Sequence, residues 1–140
     1  MKVVIDTNVL LSALLTRGIC TDLLAELRRD HEVQVPGCVL REFERVALAK
    51  FRLPPALVLG HVEFIGRTLT VAADAEPVAV WSRDPDDDRV VAAALASGAA
   101  AIVTGDADLL DLGQVQGVTL VAPRDWRVFE AAQRAAQRRL

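Results

Sequence analysis

Two acidic residues in this chain stand where side chains do chemistry rather than merely carry charge. Asp6 directly follows the β-branched run KVVI at residues 2–5, and Asp106 follows the apolar run AAAIV at 99–103 by way of Thr104 and Gly105. In an open parallel sheet, ligands bind outside the carboxyl ends of the strands, so the two carboxylates are expected on one edge. Gathered carboxylates repel, and burial raises their pKa values. A divalent cation relieves both effects. Hard cations such as Mg2+ and Mn2+ take oxygen ligands, and metal-assisted attack of water on a phosphodiester is the chemistry that suits such an inventory.

Each candidate also has a plainer role. Asp6 could cap a helix beginning at Thr7, and Asp106 a short helix at 107–112 with Asp108 in its first turn; aspartate is a favoured N-cap, and capping is compatible with ligation. In the run Asp84-Pro85-Asp86-Asp87-Asp88, Asp84 and Pro85 fit an N-cap and first helical position. Asp87 then falls at the third position, favourable beside the positive helix end, and Asp86 points outward. Asp88 remains, three residues before Val91 and seven before Leu95, at the top of the inward stripe where capping explains no charge. Spacing selects Asp88 in this run and does not exclude Asp87. Glu42 sits on an amphipathic helix beside Arg41, Glu44 and Arg45, where an acid is ordinarily solvated surface, and spacing alone gives it no role.

Other chemistries find little support. His31 and His61 are isolated and expected at the surface, and Cys20 and Cys38 lack metal-ligand spacing and are expected as small reduced core residues. No Ser-His-Asp arrangement can be assembled. A chain of 140 residues suits one domain over 1–140. With 52% hydrophobic, 25% charged and only 4% aromatic residues, it is expected to be globular with an aliphatic core. No apolar run approaches the roughly 20 residues that span a bilayer. Asp6 and Asn8 interrupt the apolar amino-terminal stretch, with no convincing cleavage site after it, so the expectation is a cytoplasmic protein without a membrane partner.

The net charge of −3 argues against a polyanionic partner, but its distribution is uneven. Acids concentrate in DPDDD and GDADLLD, whereas residues 124–140 are basic. Arg127, Arg134 and Arg138 share one helical face and could track an RNA backbone; a solvated face or a partner contact explains them as well.

The positioning elements follow from periodicity. Strands are expected at 2–5, 33–36, 69–72, 99–103 and 118–121, and helices at 7–16, 20–30, 38–50, 55–66, 86–97, 107–112 and from 124 to the end. Gly98 stands where a helix C-terminal glycine belongs. Strands alternating with helices predict an α/β fold, a three-layer α/β/α sandwich with a central, mainly parallel sheet.

The segments VVIDTNVLLSALL, VLREFERV and RDPDDDRVVAAALASGAAAIVTGDADLL, in this order and over essentially the full chain, resemble the PIN-domain ribonucleases, in particular the VapC-type toxins of bacterial toxin–antitoxin pairs. The resemblance implies an acidic pocket holding Mg2+ or Mn2+, with the four family acids falling on Asp6, Glu42, Asp88 and Asp106. Of these, Asp6, Asp88 and Asp106 would hold metal, and Asp88 or Glu42 would accept a proton. Asn8 matches a residue that orients the first aspartate, Thr104 a common hydroxyl position, and Asp108 an additional acid; the triple aspartate blurs the register between Asp87 and Asp88. An RNA substrate, a cognate antitoxin and a homodimer are implied likewise. The alternative is a catalytically silent PIN-like module that binds RNA or a partner. The start IDTN also resembles haloacid-dehalogenase phosphatases, but these carry DxD where position 8 is Asn. A response-regulator receiver needs a late lysine, and Lys50 is the last here.

Overall fold

The computed structural model describes residues 1–139 and contains one six-stranded sheet in the order β3-β2-β1-β4-β6-β5. Strands β1 (Lys2–Ile5), β2 (Glu32–Pro36), β3 (Thr70–Ala72), β4 (Ala101–Val103) and β6 (Val118–Val121) are parallel. The two-residue β5 (Gln114–Val115) pairs antiparallel with β6 at the edge. The flanking helices are α1 (Thr7–Leu15), α2 (Ile19–Asp30), α3 (Gly37–Ala49), α4 (Pro55–Thr68), α5 (Pro85–Ser97), α6 (Ala107–Leu110) and α7 (Trp126–Arg138). This is the expected α/β architecture. The expected continuation of the last helix to residue 140 lies outside the described residues.

The chain winds outward from β1 through β2 to β3, then returns to the other side of β1 to lay down β4. The register pairs Val3 with Ala101 and Ile5 with Val103. The strand order thus reverses between β1 and β4, and the crevice outside their carboxyl ends is where ligands bind in such sheets. Val3, Val4, Ile5, Ala101, Ile102 and Val103 are all fully buried, because helices cover both faces of central parallel strands. The core is aliphatic apart from Phe43 and Trp126, both fully buried.

α5 is bounded as its sequence requires. Asp84 caps it by accepting the Asp86 N–H at 2.9 Å, Pro85 opens it, and Gly98 closes it at φ 74°, a left-handed conformation that favours glycine. Cys20 and Cys38, expected in the core, are only half-buried, and two further features depart from expectation. β5 arises from the turn Gln116-Gly117, both at positive φ, and is too short to leave a periodic signal. His31 is not on the surface: its Nε2 lies 2.5 Å from Glu130 Oε2 with both side chains buried, and its ring packs edge-on against Trp126. Among the described residues, no single helix is long and apolar enough to cross a membrane.

Candidate active site

Asp6 leaves β1 at its carboxyl end and turns its side chain into a network that ties β1 to β4. Its Oδ1 accepts the Thr7 N–H at 2.8 Å. Its Oδ2 accepts from Asn8 Nδ2 at 3.1 Å and from the Thr104 hydroxyl at 2.8 Å. Thr104, fully buried, in turn accepts the Asp106 N–H at 3.0 Å. Asn8 closes the loop by accepting the Gly105 N–H at 2.8 Å through Oδ1. A Cβ at Gly105 would stand 3.2 Å from that same oxygen, so the close approach favours glycine. Asn8 and Thr104 therefore act as clasps that set Asp6 and Asp106 side by side. Asp106 also caps α6 through the Asp108 N–H at 2.9 Å.

Asp6, Asp106, Asp87 and Glu42 line one cavity of about 470 Å³ between the carboxyl edge of the sheet, α3 and the first turn of α5. Burial raises the Asp6 pKa, and Asp106 adds to the rise against the hydrogen bonds from Thr104, Thr7 and Asn8. Asp87 is pushed up to about 7, chiefly by burial and then by the charges of Asp106, Asp6 and Asp84. Among the described residues its side chain takes part in one hydrogen bond, a long 3.5 Å contact from the Ser82 hydroxyl. Among the described residues, no lysine or arginine forms an ion pair with Asp6, Asp87 or Asp106.

Asp88 does not line this cavity. It is buried, and its Oδ1 accepts the N–H groups of Trp81 and Ser82 at 3.1 and 2.8 Å. The stripe on which spacing placed it turns Val91 into the core, and Asp88 at its top meets the connection at 73–84, whereas Asp87 lines the cavity beside the helix's first turn. In the acidic run it is Asp87 that joins Asp6 and Asp106, and the expectation for Asp88 is corrected accordingly. Glu42 reaches the cavity wall but is held by Arg45. Asp108 is turned to Arg83 at 3.3 Å.

The arginines of α7 do not approach the cavity. Arg127 faces Glu26 at 3.7 Å. Arg134 lies 3.6 Å from Glu130 and lines a separate hollow with Met1 and His31, at the amino end of β1 and thus opposite Asp6. The basic residues that do line the cavity are Arg41 and Arg45 on α3, Lys50 just after its end, and Arg89 on α5. Sequence reasoning took Arg41 and Arg45 only as marks of a solvated face, although their four-residue spacing already put them on one side of α3.

The donor set suits a hard divalent cation. It is all oxygen, carries excess negative charge, and includes two carboxylates whose pKa values are raised by burial and then by their acidic neighbours. Among the described residues, no three His, Cys, Asp or Glu side chains converge closely enough to enclose an ion by themselves. Cys38 also lines the cavity, but burial and the neighbouring Asp74 push its thiol up to about 11. It is a poor nucleophile at neutral pH.

The fold is shared with solved structures. The VapBC-1 structure from nontypeable Haemophilus influenzae superposes with a TM-score of 0.67 at 12% identity, covering 89% of this chain and 99% of that one. VapBC2 from Rickettsia felis, bound to a DNA fragment from their promoter, gives 0.64 at 14% identity over 87% and 98%. PAE2754 from Pyrobaculum aerophilum gives 0.61 at 18% identity over 94% and 96%. No curated protein matches the chain. The PIN domain model matches residues 2–108, from the start of β1 through the first turn of α6, a span that contains every carboxylate of the cavity. The chain therefore belongs to the PIN domain family.

Proposed function

We propose that the chain is a metal-dependent endoribonuclease, using Mg2+ or Mn2+, and the toxin of a toxin–antitoxin pair. The observation that carries the nuclease reading is the trio Asp6, Asp87 and Asp106, buried to different degrees on one cavity, none of which forms an ion pair with a lysine or arginine among the described residues. The partner reading rests on the similarity in fold to the VapBC structures.

Asp6 and Asp106 would hold the cation, with Asp87 beside them; Mg2+ commonly takes one or two carboxylates and keeps several waters, which suits a cavity without a closed cage of three ligands. When bound, a divalent cation lowers the pKa of water and offsets charge on phosphoryl oxygens. Asn8 and Thr104 keep the Asp6 carboxylate fixed, so it need not reorganise during the reaction. Asp87 is the carboxylate least tied by hydrogen bonds and the one to accept a proton from attacking water. Glu42, Asp88 and Asp108 are not assigned to metal: one is paired with arginine, one is occupied by backbone donors, and one is turned to Arg83.

The test is cleavage of a broad RNA panel by purified protein with Mg2+, with Mn2+ and with EDTA. Cleavage is expected with either metal, lost in EDTA and in Asp6→Asn. Cleavage unchanged in Asp6→Asn would refute the site. No cleavage of any RNA would favour a silent binding module.

A further inference from the structure

The charges around the cavity divide into an unneutralised floor and a paired wall. On the wall, Glu42 and Arg45 stand one turn apart on α3 and meet in a two-pronged pair. Arg45 Nη2 donates to Oε1 at 2.6 Å and Nε donates to Oε2 at 3.3 Å. Both line the cavity, and both remain partly exposed, at 40% and 62% of the side chain. A solvated pair of this kind adds little to stability, so its place on the cavity wall asks for another explanation.

Geometry supplies one. A guanidinium has five N–H donors in a rigid plane. Glu42 engages two and fixes the plane, which leaves three donors for a further acceptor. Conversely, both Glu42 oxygens are engaged by Arg45, whose charge compensates theirs, whereas Asp6, Asp87 and Asp106 have no such ion pair among the described residues. The other wall arginines are committed differently. Arg41 donates at 2.5 Å to Asp74, which also takes the Cys38 N–H at 2.8 Å, and so anchors the connection at 73–84 to α3. Arg89 makes a single 3.3 Å contact with Asp86. Arg45 has its partner on its own helix, joins no two elements, and feels the charge of Asp86 from α5.

We propose that Arg45, held in orientation by Glu42, binds a phosphate of the RNA strand, and that Glu42 is a positioning residue for that arginine rather than a ligand of the metal. This rests on the nuclease reading above. The substrate group is a non-bridging phosphodiester oxygen, which a planar fork of N–H donors recognises better than an ammonium does.

The experiment pairs two measurements on the whole chain. The first is Mn2+ affinity by calorimetry without RNA. The second is affinity for a short labelled single-stranded RNA across a salt series in Ca2+, with the RNA checked to remain intact. Arg45→Gln is expected to weaken RNA binding and to lower the salt slope by about 0.7, the loss of one phosphate contact on a single strand. Arg45→Lys keeps the slope but loses affinity, because the ammonium cannot present the fork. Glu42→Gln weakens RNA binding and leaves Mn2+ affinity unchanged. Because both side chains are exposed, thermal melts should confirm that all three variants fold. A drop in Mn2+ affinity of roughly tenfold or more in Glu42→Gln would make Glu42 part of the metal site and overturn the assignment. An unchanged salt slope in Arg45→Gln would overturn the phosphate contact while leaving the nuclease reading intact. A wild-type chain that binds no RNA would overturn both.

Discussion

The N–H groups of Trp81 and Ser82 both donate to the same oxygen of Asp88, Oδ1. An asparagine keeps that acceptor, and an alanine leaves two donors stranded beneath the connection at 73–84. Asp88→Asn should therefore unfold near the wild-type denaturant concentration and retain cleavage, whereas Asp88→Ala should lose about 1–3 kcal/mol. Loss of metal affinity in Asp88→Asn with stability intact would restore Asp88 to the metal site. Asp87 carries the opposite signature. Its folded pKa is raised from 3.8 to about 7, so between those values the folded chain holds a proton that the unfolded chain has released. Stability then falls as pH rises through that window, and the penalty is complete above it. Asp87→Asn should raise the melting temperature of metal-free protein at pH 8, flatten its pH dependence between 5 and 8 and abolish cleavage; a variant melting lower at pH 8 would count against the shift. Neighbouring aspartates are hard to separate in sequence for a physical reason. Helical periodicity reports which residue shares the core-facing stripe with Val91 and Leu95, while the cavity is lined by the neighbouring face of the helix, where Asp87 and Val90 stand.

At the scale of elements, the site depends on two strand ends being clasped together. The sequence was informative here, since a carboxylate after a buried apolar run marks a strand end, and Asp6 and Asp106 do share one crevice. The clasp itself was not derivable from spacing. Thr104 and Asn8 gain their meaning from the pairing of β1 with β4, a contact across nearly a hundred residues of chain, and only the family resemblance pointed to them. Thr104→Val keeps the shape and removes the hydroxyl that both donates to Asp6 and accepts from the Asp106 N–H. Such supporting hydrogen bonds typically matter by 10–100-fold in metal affinity or activity. A fall of about that size in Mn2+ affinity, measured by calorimetry, is expected. Unchanged affinity with unchanged cleavage would show that β1–β4 pairing alone sets the two aspartates.

Over the whole molecule, charge is sorted by the direction in which the chain runs. Parallel strands deliver Asp6 and Asp106 to one edge, whereas α7 folds back along the sheet and carries Arg134 to the hollow beside Met1. The basic tail was legible in the sequence, but its destination was not, because composition does not say which way a terminal helix returns. The buried contacts that fix it, His31 with Glu130 and with Trp126, join residues about a hundred positions apart and leave no local pattern. On the proposed reading, contact with a nucleic acid strand at the cavity falls to the wall of α3 rather than to the tail. Arg127 and Arg138 are exposed and offer the cleanest check, since removing them disturbs no buried pair. If RNA lay along α7, the double variant Arg127→Gln/Arg138→Gln would lower the salt slope of RNA binding by about 1.4, two phosphate contacts on a single strand. With the strand held at the carboxyl edge, the slope should match wild type and cleavage should be retained, and a lowered slope would return the tail to the RNA path.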